Sequence, residues 1–188
     1  MAYEDELYKK AVAEYPFIQQ HNPVVSLGQG MGYAETWPIG EEGAPNSPRP
    51  SHIPIDRHGI TVHKPEEFSH HDLAAELLHI DPVANKTRED LIKSWTPKQL
   101  EVLKKNALDY QATLDEGRPE EDAIKNATDS ALRGYAVGQW PEEINKELNY
   151  SKSQLKSLEN LKNYMKKPSE MKSGGMIEKP LKGGMKLI

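Results

Sequence analysis

Apolar positions change their spacing three times along the chain, and each regime predicts a different structure. Over residues 2–15 (AYEDELYKKAVAEY), Leu7, Ala11 and Val12 repeat at helical spacing, with Glu4, Asp5 and Glu6 ahead of Lys9 and Lys10. Acids before bases suit the helix dipole, so a short amphipathic helix is expected. From about residue 70 the helical period returns. Leu100, Leu103, Ala107, Leu108, Tyr110 and Leu114 form one stripe, and Leu155, Leu158, Leu161 and Met165 another, each marking a buried face. Start signals accompany the stripes. Thr87 stands three residues before Asp90, Thr96 precedes Pro97 and Gln99, Pro119 precedes Glu120 and Glu121, and Ser151 precedes Gln154. Helices are predicted over 70–80, 87–95, 97–115, 119–132 and 151–167, with Gly117 and Gly134 as stops.

Between these helical stretches, residues 21–69 hold seven prolines and six glycines. At that density neither a helix nor a long strand persists. Only VVSL at 24–27 and GITVH at 59–63 have strand character. So long an irregular stretch either runs extended over a surface or is ordered by a partner. The predicted fold class is therefore mainly α: a small helical core at 70–167, clasped by the extended segment 21–69, with an amphipathic helix in residues 1–20.

Residues 168–188 are of low complexity. Gly174-Gly175-Met176 recurs as Gly183-Gly184-Met185, and glycine pairs with prolines favour a flexible tail. Residues 150–188 carry nine lysines against three glutamates, a net of +6, which leaves −11 for residues 1–149 out of the total of −5. The cationic end could contact DNA or another polyanion through Lys166, Lys167, Lys172, Lys179 and Lys182. One tyrosine, Tyr164, gives little provision for base stacking.

Composition narrows the chemistry. The chain has 188 residues, 36% of them hydrophobic, and a mean hydropathy of −0.77, which predicts no membrane span. The polar, acidic start does not resemble a secretory leader, so a soluble chain is expected. Cysteine is absent, which removes disulfides, thiolate nucleophiles and Cys-ligated metals. A metal would have to be held by histidine and carboxylate.

All seven histidines lie within residues 21–79. The helix predicted there ends Glu76-Leu77-Leu78-His79, which resembles the His-Glu-x-x-His helix of zinc metallopeptidases. The first ligand position is Ala75, and His71 lies two helical turns from His79, about 12 Å along the axis. A catalytic metal would thus need His63, His71, Glu76 and His79 drawn together by the fold. The di-iron reading of Asp72, Glu76 and His79 lacks a second Glu-x-x-His on a facing helix. Gly28-x-Gly30-x-Gly32 follows a strand but lacks the third fingerprint glycine and a Gly-Lys-Ser/Thr, so a turn-rich segment is expected there rather than a phosphate loop. No Gly-x-Ser-x-Gly elbow is present.

Trp37-Pro38 and Trp140-Pro141 pair a large amphipathic ring with a rigid backbone, as does the Pro48-Arg49-Pro50 turn with its guanidinium, and such residues suit protein contacts. Around them, Tyr33-Ala34-Glu35-Thr36-Trp37-Pro38, Glu41-Glu42-Gly43-Ala44-Pro45, Pro48-Arg49-Pro50-Ser51, Gly59-Ile60-Thr61-Val62, Asp81-Pro82 and Arg133-Gly134-Tyr135 to Gln139-Trp140 resemble blocks of an uncharacterised group of tailed-phage proteins. The tail is similar to those of marine phage virion proteins. The resemblance implies a virion-associated structural protein, present in the host cytoplasm before assembly, whose partners are other virion proteins or its own copies, with DNA reached through the tail. It implies contacts at Trp37, Pro48, Arg49, Pro50 and Trp140 and no cofactor. Two other functions remain open: a zinc-dependent hydrolase built on His63, His71, Glu76 and His79, and a DNA-binding accessory factor.

Overall fold

The structure, a computed structural model, describes residues 1–30 and 32–167, so the expected tail with Lys172, Lys179 and Lys182 lies outside the described residues. About 57% of the described residues are helical, in nine helices, and a few short strands accompany them. The fold is mainly α, but not all-α. Among the described residues no helix is long and apolar enough to cross a membrane. The described residues form two compact units, one of Met1–Leu77 with the end of the last helix from Tyr164, the other of Leu78–Asn163.

The first unit opens with α1 (Tyr3–Glu14) and the single turn α2 (Ile18–His21). The Pro/Gly-rich stretch then forms β1 (Val24–Leu27), β2 (Ala34–Trp37), the small hairpin β3 (Gly43–Ala44) and β4 (Ser47–Pro48), and β5 (Gly59–Val62). Both expected strand segments are strands, and they pair in parallel, Val24 with Gly59 through Leu27 with Val62. The strand missing from the expectation is β2, which runs antiparallel on the other side of β5 with Trp37 opposite Gly59 and Ala34 opposite Val62. Four residues between a glycine-rich stretch and Pro38 are too few for period-2 patterning to stand out. β5 is central and buried along its whole length, which explains its apolar run. The helix α3 (His70–Leu78) follows, with Leu73, Ala74, Ala75 and Leu77 buried.

The second unit holds α4 (Pro82–Ser94), α5 (Pro97–Asn106), α6 (Leu108–Asp115), α7 (Glu120–Ala136), α8 (Glu142–Leu148) and most of α9 (Lys152–Lys166). Val102, Leu103, Ala107, Tyr110, Ala123, Ala127, Ala131 and Leu148 form its core, flanked by Trp95, Leu100, Leu114, Ile124, Trp140 and Tyr150. α7 contributes alanines at four-residue spacing, which let α4, α5 and α6 approach closely.

Three expected boundaries are corrected. The 87–95 helix begins at Pro82, because Asp81 caps it by accepting from the Val83 and Ala84 amides, and Thr87 instead bonds the Val83 carbonyl from inside the helix. The 97–115 helix is two, broken where Ala107 turns extended (φ −85°, ψ 111°), so Leu108 is 90% exposed rather than in the stripe. Gly134 does not stop α7. A Cβ there would lie 2.7 Å from Cγ of Trp140, so this glycine serves the packing of an indole. Gly117 does end its helix, at φ +76°. The short helices α2 and α8 had not been expected, and each ends in a left-handed asparagine, Asn22 and Asn149.

Candidate functional site

The residues of the hydrolase reading have separate partners. His63, directly after β5, has a side chain only 2% exposed. Its Nε2 lies 3.3 Å from Glu35 Oε2, but neither ring nitrogen has an aligned hydrogen bond. Gly30 makes room for it, since a Cβ there would stand 2.8 Å from the imidazole Cε1, and a Cβ on Gly28 would strike the Thr61 methyl at 2.4 Å. Gly28 and Gly30 are therefore explained by close approach to Thr61 and His63, and Gly32 by its left-handed φ of +87°. Glu76 accepts a 2.7 Å hydrogen bond from the Thr36 hydroxyl. His71 Nδ1 is 2.7 Å from the Tyr15 hydroxyl. His79, in the second unit, sits 3.0 Å from Asp129 through Nδ1.

A different cluster assembles in the first unit. Glu14, the last residue of α1, meets His70 and His71, the first two of α3. His70 Nε2 is 2.7 Å from Glu14 Oε2, His71 Nδ1 is 3.9 Å from Glu14 Oε1, and the two imidazole centroids are 4.0 Å apart. The His70 hydrogen bond holds the Glu14 carboxyl below its usual range against the opposing effect of burial, helped by the nearby imidazoles. Tyr15, buried beside them, packs edge-on to His71, and burial next to Glu14 pushes its phenol well above its usual range. His71 had been a candidate; Glu14 and His70 had not. Nothing local in sequence links residue 14 to residue 70.

The residues expected to make protein contacts are placed as follows. Trp37 is buried, with its indole N–H donating to the Thr61 hydroxyl at 3.2 Å. Arg49 donates to five backbone carbonyls: Ile53 at 3.0 Å, Pro38 at 2.7 Å, Glu41 at 3.0 Å, Pro54 at 2.7 Å, and Arg57. A guanidinium has five N–H bonds, so this one side chain ties the ends and middle of the 38–57 loop together. Pro48 is exposed, and Pro50 half-buried. Ile39 and Ile55 in this braced loop, with Leu27 at the end of β1 and Tyr33 just before β2, remain between 45% and 56% exposed. Gly40 N–H bonds Ile55 C=O at 2.8 Å, which places Ile39 and Ile55 on neighbouring stretches of chain. Trp140 is half-buried on Gly134. Lys166 and Lys167 are exposed.

The second unit carries a polar cleft of about 590 Å³ lined by His79, Asn85, Arg88, Glu89, Asp109, Lys125, Asn126 and Asp129, with Ile92. Asp129 is buried in its wall. Arg88 binds it from Nε (3.1 Å) and Nη2 (2.5 Å), Arg133 from Nε (3.0 Å), and His79 from the third side. Burial alone would raise the Asp129 pKa, but the His79 hydrogen bond and the charges of His79, Arg133 and Arg88 outweigh it and hold the carboxyl well below its ordinary range. Arg88 also donates to the Leu78 carbonyl at 3.1 Å and to Asn85. All this chemistry is consistent with a buried structural ion-pair network. No protein-family model, no curated protein and no solved structure matches the chain.

Proposed function

We propose that the chain is a virion-associated structural protein of a tailed phage that works by contact rather than by turnover. The observation that supports this reading is the exposed apolar set Leu27, Tyr33, Ile39 and Ile55 on a small sheet and a loop made rigid by Arg49. Fixed apolar side chains lose little conformational entropy on binding, so they favour a lasting contact. The motif blocks that resemble tailed-phage proteins run through the same segment, from Tyr33 to Val62. Its partners in this reading are other virion proteins or further copies of the chain. Trp37, Pro48, Arg49 and Pro50 build and frame the contact, and the lysine-rich end meets DNA.

A photo-crosslinking residue at Ile39, carried by the chain during particle assembly, is expected to yield a covalent adduct to a virion protein or to a second copy. The same probe at exposed Glu121 of the other unit should yield none. Absence of the chain from purified particles, or equal crosslinking from both positions, would refute the reading.

A further inference from the structure

Three side chains from two helix ends, Glu14, His70 and His71, bring their ligand atoms within 4.8 Å of one another. We propose that they form a binding site for a divalent transition ion of the zinc or cobalt type, held by two imidazoles and one carboxylate. This is independent of the virion reading.

The donor set is the first ground. Imidazole nitrogen and carboxylate oxygen suit zinc-like ions, and two histidines with one glutamate leave a fourth tetrahedral position for water or another donor. The distances are the second. Ligand atoms on a tetrahedral ion with bonds of about 2.1 Å stand about 3.4 Å apart. His70 Nε2 to Glu14 Oε2 at 2.7 Å and His71 Nδ1 to Glu14 Oε1 at 3.9 Å, one imidazole at each carboxylate oxygen, bracket that value. Closing on an ion brings ligand atoms that lie within 4.8 Å of one another to that separation, a change of at most about 1.4 Å between any two.

The mounting is the third ground. The Tyr3 hydroxyl, at the opposite end of α1, donates to the carbonyls of Pro65 (3.2 Å) and Phe68 (3.1 Å), immediately before α3. Leu7, Ala11, Phe68 and Leu73 are buried along the two helices. Both ends of α1 are thereby tied to the start of α3, and the cluster sits on a prearranged frame. Tyr15 orients His71 through its hydroxyl, 2.7 Å from Nδ1. The side chains are between 27% and 42% exposed, which admits an ion from solvent.

The test is a Co²⁺ titration of the untagged, metal-stripped full chain, read by visible absorption and reversed by Zn²⁺. One equivalent is expected. His71→Ala and the near-isosteric Glu14→Gln should each weaken binding about tenfold or more, whereas His52→Ala, at an exposed histidine outside the cluster, should leave it unchanged. Zn²⁺ should raise the melting temperature of the native chain and not that of Glu14→Gln, whose circular dichroism verifies its fold. No cobalt spectrum in the native chain, or one unaffected by His71→Ala and Glu14→Gln, overturns the proposal. So does equal loss on His52→Ala.

Discussion

A buried carboxylate that stays ionised must be held by cations, and Asp129 faces Arg88, Arg133 and His79. Asp129→Asn leaves Arg88 buried without its counter-charge, so a loss of about 3–5 kcal/mol is expected in urea unfolding. The pH dependence has a definite sign. A carboxyl with a depressed folded pKa contributes its stability above the unfolded value, near 3.8, and loses it as pH falls through the folded one. The native chain should therefore lose stability on acidification below about pH 4, and Asp129→Asn should show a flatter profile. Gly134→Ala tests packing against propensity. Alanine favours a helix interior by about 1 kcal/mol, yet its Cβ would meet Trp140 at 2.7 Å. Net destabilisation of about 1 kcal/mol with altered tryptophan fluorescence is expected, and stabilisation would mean that the indole moves aside freely. At this scale the sequence names residue types but not their neighbours. Histidines crowded into one third of the chain suggested metal chemistry, and His71 belongs to the cluster. The other two members follow from a pairing across 56 residues that no local spacing encodes.

Helix starts were legible where a cap is a local pattern. Thr96 with Gln99 and Ser151 with Gln154 both form reciprocal capping boxes at the expected places. What the pattern could not reveal is that the two boxes meet. Gln99 Nε2 bonds Gln154 Oε1 at 2.8 Å, and Gln154 Nε2 bonds Gln99 Oε1 at 3.1 Å, each amide also reaching a backbone carbonyl, Leu148 or Ser94. Each buried glutamine thus caps its own helix and joins the other. A double-mutant cycle of Gln99→Ala and Gln154→Ala should show a coupling of about 0.5–3 kcal/mol; additive losses would mean that each glutamine acts only as a cap. Asp81-Pro82 does not stand out as a helix start because Thr87 and Asp90 offer a second, equally regular start inside the same helix. Nor does β2 stand out, because its pairing with β5 is long-range, and the glycines and prolines around it dominate the local pattern.

For the whole molecule, a mainly helical chain was foreseeable from the period of its apolar positions, whereas its division after Leu77 was not. The composition changes near residue 70, but α3 packs its Leu73 and Leu77 into the N-terminal unit, so the boundary follows burial and not proline content. Charge distribution yields a prediction of its own. Removing residues 168–188 takes away Lys172, Lys179, Lys182 and Lys186. Any affinity for DNA should then fall together with the slope of its logarithm against salt, about 0.9 per lost phosphate contact. The melting temperature should not change. Fluorescence anisotropy over a range of salt concentrations measures both quantities, and an unaltered slope would show that the tail does not touch the polyanion.

Arg49 has a further implication for how this chain can vary. One guanidinium fork spans carbonyls from residue 38 to residue 57, and its five N–H directions are fixed relative to one another. Side chains along that span are free to differ, because only main-chain oxygens are recognised. The number of residues between them is not, since an insertion or deletion would swing at least one oxygen out of register. Related chains that keep this arginine should therefore show a constant spacing from Pro38 to Arg57 even where their identities have drifted beyond alignment.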